Sequence, residues 1–295
     1  MNLSSNPVVI SGAGLWNPEH SISNEELVEA YNSYAEKHNL EHAAEIEAGE
    51  RQAKPLSSAE FIYKASGIKS RFAYRKEGIL DVDRMKPKID ERADDELSHQ
   101  AEIALNAAKI ALKEANKKPE DIDAVIVSCA YTQRSYPAIA IEVQDALGIE
   151  GFGFDMLVAC SAATFALQRA YEMVASGTAK CVLTINPELT SPQVNYCDRD
   201  SHFIFGDVGT ATIVERAETC DSEHSYEVLG SKAVTSYSNN IRSNFGYVSR
   251  AEDSDPYGND KLFHQEGRKV FKEVVPMVAQ MISSHISDES IDVPD

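Results

Sequence analysis

The sequence has little of what several function classes require. Its five cysteines (Cys129, Cys160, Cys181, Cys197, Cys220) are odd in number, show no CxxC spacing and have no histidine pair at ligand spacing nearby. Neither a disulfide framework nor a metal centre is indicated. Basic residues are scarce, 28 against 47 acids for a formal charge of −19. That balance argues against binding nucleic acid or an anionic membrane through the overall field, so any anionic partner must use a local basic patch. No apolar run approaches the roughly 20 residues of a membrane span, and the N-terminus lacks a basic and apolar leader, so a soluble, cytoplasmic protein is expected. What 295 residues at 43% hydrophobic content do provide is a core large enough for one large or two ordinary domains.

The stretch from Phe154 to Leu167 reads as a buried strand, a tight turn and a buried helix. Cys160 falls where that helix begins, facing unpaired backbone N–H groups and the positive end of the helix dipole, both of which favour a nucleophilic thiolate. The plainer reading of the same residue is a small buried hydrophobe.

Around this stretch the pattern alternates between strands and helices. Residues 7–10 read as a first strand ending in a glycine turn at Gly12 and Gly14; this GxG lacks the third glycine and the following helix of a dinucleotide fingerprint. Ser23 and Glu26 form a capping box at the start of a helix. Residues 37–57 are a polar surface insertion, residues 61–67 a short helix stopped by Gly67, and residues 75–96 a solvated excursion. A long helix is predicted over 96–116, a buried strand over 122–129 with Cys129 in the core, a helix over 138–147, and strands over 181–185 and 211–214. This is an α/β pattern with a largely parallel, buried sheet. Past Glu215 the pattern restarts, with a strand over 227–235 and an amphipathic helix over 267–284. Residues 291–295 resemble the turn before the strand at 122–129. The chain therefore divides into a first half, residues 1–220, and the start of a repeated second half, residues 221–295.

Val158-Ala159-Cys160-Ser161-Ala162-Ala163, followed by Asp198-Arg199-Asp200-Ser201-His202-Phe203-Ile204-Phe205-Gly206-Asp207, resembles the β-ketoacyl-acyl-carrier-protein synthase III family of the thiolase superfamily. Three further segments match in order: Ala65-Ser66-Gly67-Ile68-Lys69-Ser70-Arg71, Ser135-Tyr136-Pro137, and Glu266-Gly267-Arg268-Lys269-Val270-Phe271-Lys272. The resemblance implies a thiolase-like αβαβα layered fold of two repeated halves, here with the second incomplete, and a homodimer. It also implies a decarboxylating Claisen condensation of fatty acid biosynthesis that uses no cofactor. Acyl-CoA would load Cys160, and malonyl-acyl-carrier-protein would then lose CO₂ and attack the thioester.

Several residues acquire roles by this resemblance. Arg199 would stack on the adenine of CoA with Phe61 on the other side, and Ile204, Gly267 and Phe271 would line the pantetheine tunnel. Tyr136 would close the partner's acyl pocket across the dimer. Lys69, Arg71, Arg268, Lys269 and Lys272 would form a basic patch for the acidic carrier protein. His202 would be a wall of the substrate channel. The family's catalytic His and Asn lie beyond Asp295, and His264-Gln265 lies upstream of the His position. The isolated chain is accordingly expected to acylate at most, and residues 37–57 resemble members that take medium-chain acyl groups. Two alternatives stay open: an interaction subunit or acyl acceptor completed by a partner chain, and a cysteine hydrolase, which would need a histidine beside Cys160.

Overall fold

The computed structural model describes residues 7–243 and 250–289. In chain order they form β1 (Val8–Trp16), β2 (His20–Ser23), α1 (Asn24–Glu41), α2 (Ala43–Glu47), α3 (Ala59–Ser66) and β3 (Ser70–Ala73). There follow α4 (His99–Glu114), β4 (Ala124–Cys129), α5 (Ile139–Leu147), β5 (Phe152–Leu157), α6 (Ala162–Ser176) and β6 (Cys181–Glu188). The chain continues with β7 (Val208–Arg216), β8 (Tyr226–Glu227), β9 (Ile241–Arg242), β10 (His264–Gln265) and α7 (Gly267–Asp288). The turn expected at 291–295 lies outside the described residues. Two compact units emerge, each discontinuous in sequence: residues 1–18, 90–190 and 207–231, and residues 19–89, 191–206 and 232–295.

The first unit is built on a sheet of order β5-β4-β6-β7-β1-β8. Only β5, β4 and β6 run parallel; β7, β1 and β8 pair antiparallel, so the sheet is mixed rather than largely parallel. The connections explain the difference. A parallel neighbour needs a crossover, which α5 and α6 supply between β4, β5 and β6, whereas no α-helix lies between β6 and β7. Every residue of β4 is buried because both sheet faces are covered. On one face Val125, Val127, Leu183 and Ile213 pack with the alanines of α4 and with Ile139 and Val143 of α5. On the other, Ala124, Ile126, Val182 and Val214 pack with Ala166, Ala170 and Val174 of α6. Strand β5 is half exposed, with Phe152 at 43% and Leu157 at 59%, because it is the sheet edge and not the buried strand the sequence suggests.

Strand β1 continues through the glycines read as a turn, with a shift of register between Ile10 and Gly12. A Cβ on Gly12 would lie 2.6 Å from the Ala111 carbonyl oxygen, and one on Gly14 would lie 2.2 Å from that of Ala107. These glycines let α4 approach the sheet closely, which its small residues Ala107, Ala111 and Ala115 allow from the other side.

In the second unit the Ser23–Glu26 capping box opens α1: Glu26 N–H donates to Ser23 Oγ at 3.2 Å, and Ser23 N–H donates to Glu26 Oε2 at 2.9 Å. Gly67, in the left-handed region at φ 75°, closes α3. Ile22, Leu27, Ile62, Ile79 and Phe203 anchor this unit's core. Each buried branched side chain contributes about 1.5–3 kcal/mol of transfer free energy. Helix α7 differs from the other long helices, because none of its residues is buried. The strand expected over 227–235 shrinks to β8, which pairs with β1 in the first unit. Among the described residues no helix is long and apolar enough to cross a membrane.

Candidate functional site

Three side chains gather where the parallel strands of the first unit end, the side of an α/β sheet at which ligands usually bind. Cys129 is the last residue of β4, Glu188 the last of β6, and Cys160 lies three residues beyond the end of β5. The register sets them level, since Cys129 pairs with Leu157 and Val127 with Ile185. Val158 N–H donates to the Cys129 carbonyl at 3.3 Å and carries the pairing one step past the strand. Then the chain turns sharply. Ala159 takes φ 48°, the left-handed region that costs a non-glycine residue about 1–2 kcal/mol, and a single 3₁₀ turn over Ala159–Ser161 leads into α6. This elbow leaves Cys160 exposed, and no side chain caps the N-terminus of α6 behind it.

The helix start does not lower the thiol pKa as the sequence suggests. Desolvation pushes the Cys160 thiol up, the Glu188 carboxylate pushes it further, and its own backbone N–H offsets only part of this. Glu188 in turn accepts from Ala130 N–H at 3.1 Å with both carboxylate oxygens. Burial, and to a lesser degree the charge of Asp207, raises its carboxyl to about 7. Asp207 is itself buried and accepts from Thr190 N–H at 2.8 Å. Cys129 is wholly buried, donates to the Tyr131 carbonyl at 3.1 Å, and is pushed up to about 12 by desolvation. Asp155 of β5 caps α5, accepting from Ile139 N–H and Ala140 N–H at 2.8 Å each. Glu188, which holds Ala130 N–H, and Asp155, which caps α5, are residues that the sequence reading did not single out. For Glu188 the available signal was an acid closing a strand whose other residues are all uncharged.

In the second unit Arg199 and Phe61 are brought together, but not as an open slot. The guanidinium carbon lies over the Phe61 ring, 3.7 Å from its centroid, so a base between them would require one to move. Residues of the insertion hold this arrangement: Arg199 Nε donates to the Leu56 carbonyl at 2.8 Å, and Lys54 Nζ donates to the Cys197 carbonyl at 3.2 Å. Phe61 also meets Phe203 edge to face at 6.1 Å. Ile204 packs, partly buried, against the same core. His202 lines no open channel. It is 0% exposed, stacks on Tyr31 at 4.9 Å, lies with Nδ1 2.9 Å from the Arg199 carbonyl, and is pulled down to about 4 by burial.

The predicted basic patch loses one member. Arg71 is 6% exposed and works as an internal clamp, donating to the Ile22 and Ser23 carbonyls at 3.0 and 3.2 Å and to Asn24 Oδ1 at 2.6 Å. Burial draws its pKa down, so it cannot serve as a surface contact. Lys69 sits over the Tyr63 ring at 5.9 Å. Arg268, Lys269 and Lys272 are exposed on the first turns of α7, with Lys269 paired to Glu266. Gly267 and Phe271 stand on the same turns, exposed, with Phe271 at 66%. Tyr136 is 94% exposed in the first unit. His264 lies in the short β9–β10 pair opposite Arg242. Among the described residues no group of three acids, histidines or cysteines could hold a metal ion.

The profile of the family 3-oxoacyl-[acyl-carrier-protein] synthase III matches residues 154–235, which run from within β5 to just past β8. β-Ketodecanoyl-[acyl-carrier-protein] synthase of Pseudomonas aeruginosa is 51% identical over 266 residues, covering 90% of this chain and 76% of that protein. The chain belongs to the β-ketoacyl-acyl-carrier-protein synthase III family. A synthase III of Brucella anthropi is 32% identical over 193 residues, and there the aligned part spans 57% of the relative's length. The synthase III fold is also seen in solved structures: that from Aquifex aeolicus superposes with a TM-score of 0.65 at 24% identity, covering 97% of this chain and 73% of that one. Xanthomonas campestris OleA, solved with lauric acid and lauroyl-CoA, gives a TM-score of 0.67 at 16% identity over 97% of this chain and 75% of that one. At such identities the structures speak for the thiolase-like fold alone.

Proposed function

We propose that the chain is an acyltransferase of fatty acid biosynthesis that carries its acyl group on Cys160. The observation that carries this reading is the elbow at Ala159, which presents an exposed thiol at the ends of three parallel strands in front of an uncapped helix. Thioester exchange suits that geometry. Sulfur adds to the acyl-CoA carbonyl, the Cys160 backbone N–H faces the developing oxyanion, and CoA leaves as the acyl group moves to Cys160. Malonyl-acyl-carrier-protein then loses CO₂, and its carbanion attacks the Cys160 thioester to give a β-ketoacyl product. The relative that makes a β-ketodecanoyl product supports an eight-carbon donor here, since condensation adds two carbons.

In the second unit Arg199, Phe61 and Ile204 receive the CoA end once the Arg199–Phe61 stack opens. Gly267 and Phe271 line the path of the pantetheine arm, while Lys69, Arg268, Lys269 and Lys272 meet the acidic carrier protein. The exposed β5 edge and Tyr136 suit pairing with a second copy of the chain, and the protein would work in the cytoplasm. A second reading is favoured by the apolar residues left exposed on α7, Phe271, Val274, Val275 and Ile282. In it the chain is the acyl-accepting part of an assembly, and further polypeptide covers that face and supplies the groups that stabilise the carbanion.

The test is incubation with octanoyl-CoA and malonyl-acyl-carrier-protein. The first reading predicts CO₂ and β-ketodecanoyl-acyl-carrier-protein, both lost in Cys160→Ala. A stable octanoyl-protein without condensation supports the second reading, and release of free octanoate would mean a hydrolase.

A further inference from the structure

Arg199 lies closed on Phe61, and the end of the insertion holds it there. Residues 54–57 are laced to α1. Asn39 Nδ2 donates to the Lys54 carbonyl at 2.9 Å, and its Oδ1 accepts from Lys54 N–H at 2.8 Å. Asn32 repeats the pattern at Ser57, donating to its carbonyl at 3.1 Å and accepting from its N–H at 2.8 Å. Between them Tyr31 Oη donates to the Pro55 carbonyl at 3.0 Å. The spacing explains the fit. Asn32 and Asn39 lie two turns apart on α1, about 10.5 Å along its axis, and extended chain from Lys54 to Ser57 spans about 10 Å. With Lys54, Pro55 and Ser57 held by α1, the Leu56 carbonyl is set in place, and it accepts from Arg199 Nε at 2.8 Å. Phe61 is fixed from its own side: its N–H donates to Ser58 Oγ at 3.0 Å, and its ring meets Phe203 edge to face. The guanidinium has its bond to Leu56 and a 3.3 Å contact with the exposed carboxylate of Asp200, so it is the part that can swing.

We propose that residues 54–57 are a latch that sets the affinity for the nucleotide end of the acyl donor. The Leu56 carbonyl keeps Arg199 on Phe61, and a base enters only when that bond breaks. A carbonyl already pinned costs Arg199 little ordering to find, which favours the closed pair; a slack strap shifts the population toward the open one. The observed affinity for CoA is the intrinsic affinity scaled by the open fraction. A donor that ends at the pantetheine arm never meets the latch. The end of the insertion thus discriminates between acyl carriers with and without a nucleotide and leaves acyl chain length alone.

The latch presupposes that Arg199 and Phe61 receive the CoA end, and the test separates the two. CoA binding is measured by calorimetry, and acylation of Cys160 is followed with octanoyl-N-acetylcysteamine, which carries no nucleotide. In Asn32→Ala and Asn39→Ala, CoA binds more tightly by on the order of 3- to 10-fold, the size of one weakened hydrogen bond. Acylation by octanoyl-N-acetylcysteamine stays within about twofold. The KM values for acetyl-CoA and octanoyl-CoA fall by the same factor, because the two share the nucleotide end. Tyr31→Phe removes one hydroxyl and keeps the ring, so it shifts CoA binding the same way by about twofold and serves where an asparagine variant melts early. Weaker or unchanged CoA binding in these variants overturns the latch. So does an equal change in acylation by octanoyl-N-acetylcysteamine, or a KM shift that differs between acetyl-CoA and octanoyl-CoA. Arg199→Ala combined with Phe61→Leu tests the reading beneath. CoA binding then falls by about tenfold or more as both stacking partners are lost, and unchanged binding would mean that the base of CoA lies elsewhere.

Discussion

Cys129 and Cys160 leave neighbouring strands at the same end of one sheet, and their surroundings give the two thiols different chemistry. Cys129 keeps the strand register to the last residue, is 0% exposed, and has its S–H tied to the Tyr131 carbonyl at 3.1 Å. Cys160 comes three residues later on its own strand, past the Ala159 turn at φ 48°, and is exposed. The difference lies in the backbone. A thiol that follows the sheet is packed away and pushed up to about 12 by desolvation, while a residue thrown past it by a left-handed turn is exposed.

The strongest way to break this comparison is to remove each thiol in turn. Cys160→Ala is predicted to lose acyl transfer by at least about a thousandfold, and Cys129→Ala to retain it within about twofold while losing about 1 kcal/mol of stability to the small cavity. Acylation rates and urea unfolding of the two variants check this; loss of acyl transfer in both would mean that the two strand ends act as one site. A second test is accessibility: a thiol reagent should label Cys160 in the folded chain, whereas Cys129 and Cys181, both buried, become labelled only on unfolding.

A third test concerns stability against pH. The Glu188 carboxyl is raised from 4.5 to about 7, so below 4.5 it is neutral in both folded and unfolded chains and costs nothing. Between those values the unfolded chain loses the proton first, and the folded state becomes progressively less favoured, fully so above about pH 7. Glu188→Gln removes this penalty. It is predicted to be more stable than the unaltered chain at about pH 8, by on the order of 1–3 kcal/mol, and equally stable at about pH 4. Denaturant midpoints at the two pH values decide it, and an equal gain at both would mean that packing, not charge, is responsible.

The legible part of the molecule was what repeats along the chain. The capping box of α1, the alanine face of α4 and the apolar runs of β4 and β6 all carry their periodicity in the residues themselves, and the elbow with Cys160 could be read from an apolar run ending on a thiol. Long-range placement was not legible. Gly12 and Gly14 look like a turn in sequence, and only the approach of α4 shows that they are contact points in a strand. Arg71 reads as a surface cation, but its guanidinium reaches back to Ile22, Ser23 and Asn24 some 47 to 49 positions earlier. Helix α7 is as amphipathic in pattern as α4 yet buries no residue, because a periodic face specifies a surface and not the partner that covers it. Glu188 was hidden for the same reason, since its hydrogen bond from Ala130 N–H spans 58 positions of sequence.

The most direct test of the account is to locate the acyl group. After incubation with octanoyl-CoA and quenching at low pH, proteolysis and mass spectrometry of the peptides should place one octanoyl group on the peptide containing Cys160 and none on those containing Cys129, Cys181, Cys197 or Cys220. An octanoyl group on any of those four, or an unchanged degree of acylation in Cys160→Ala, would contradict it.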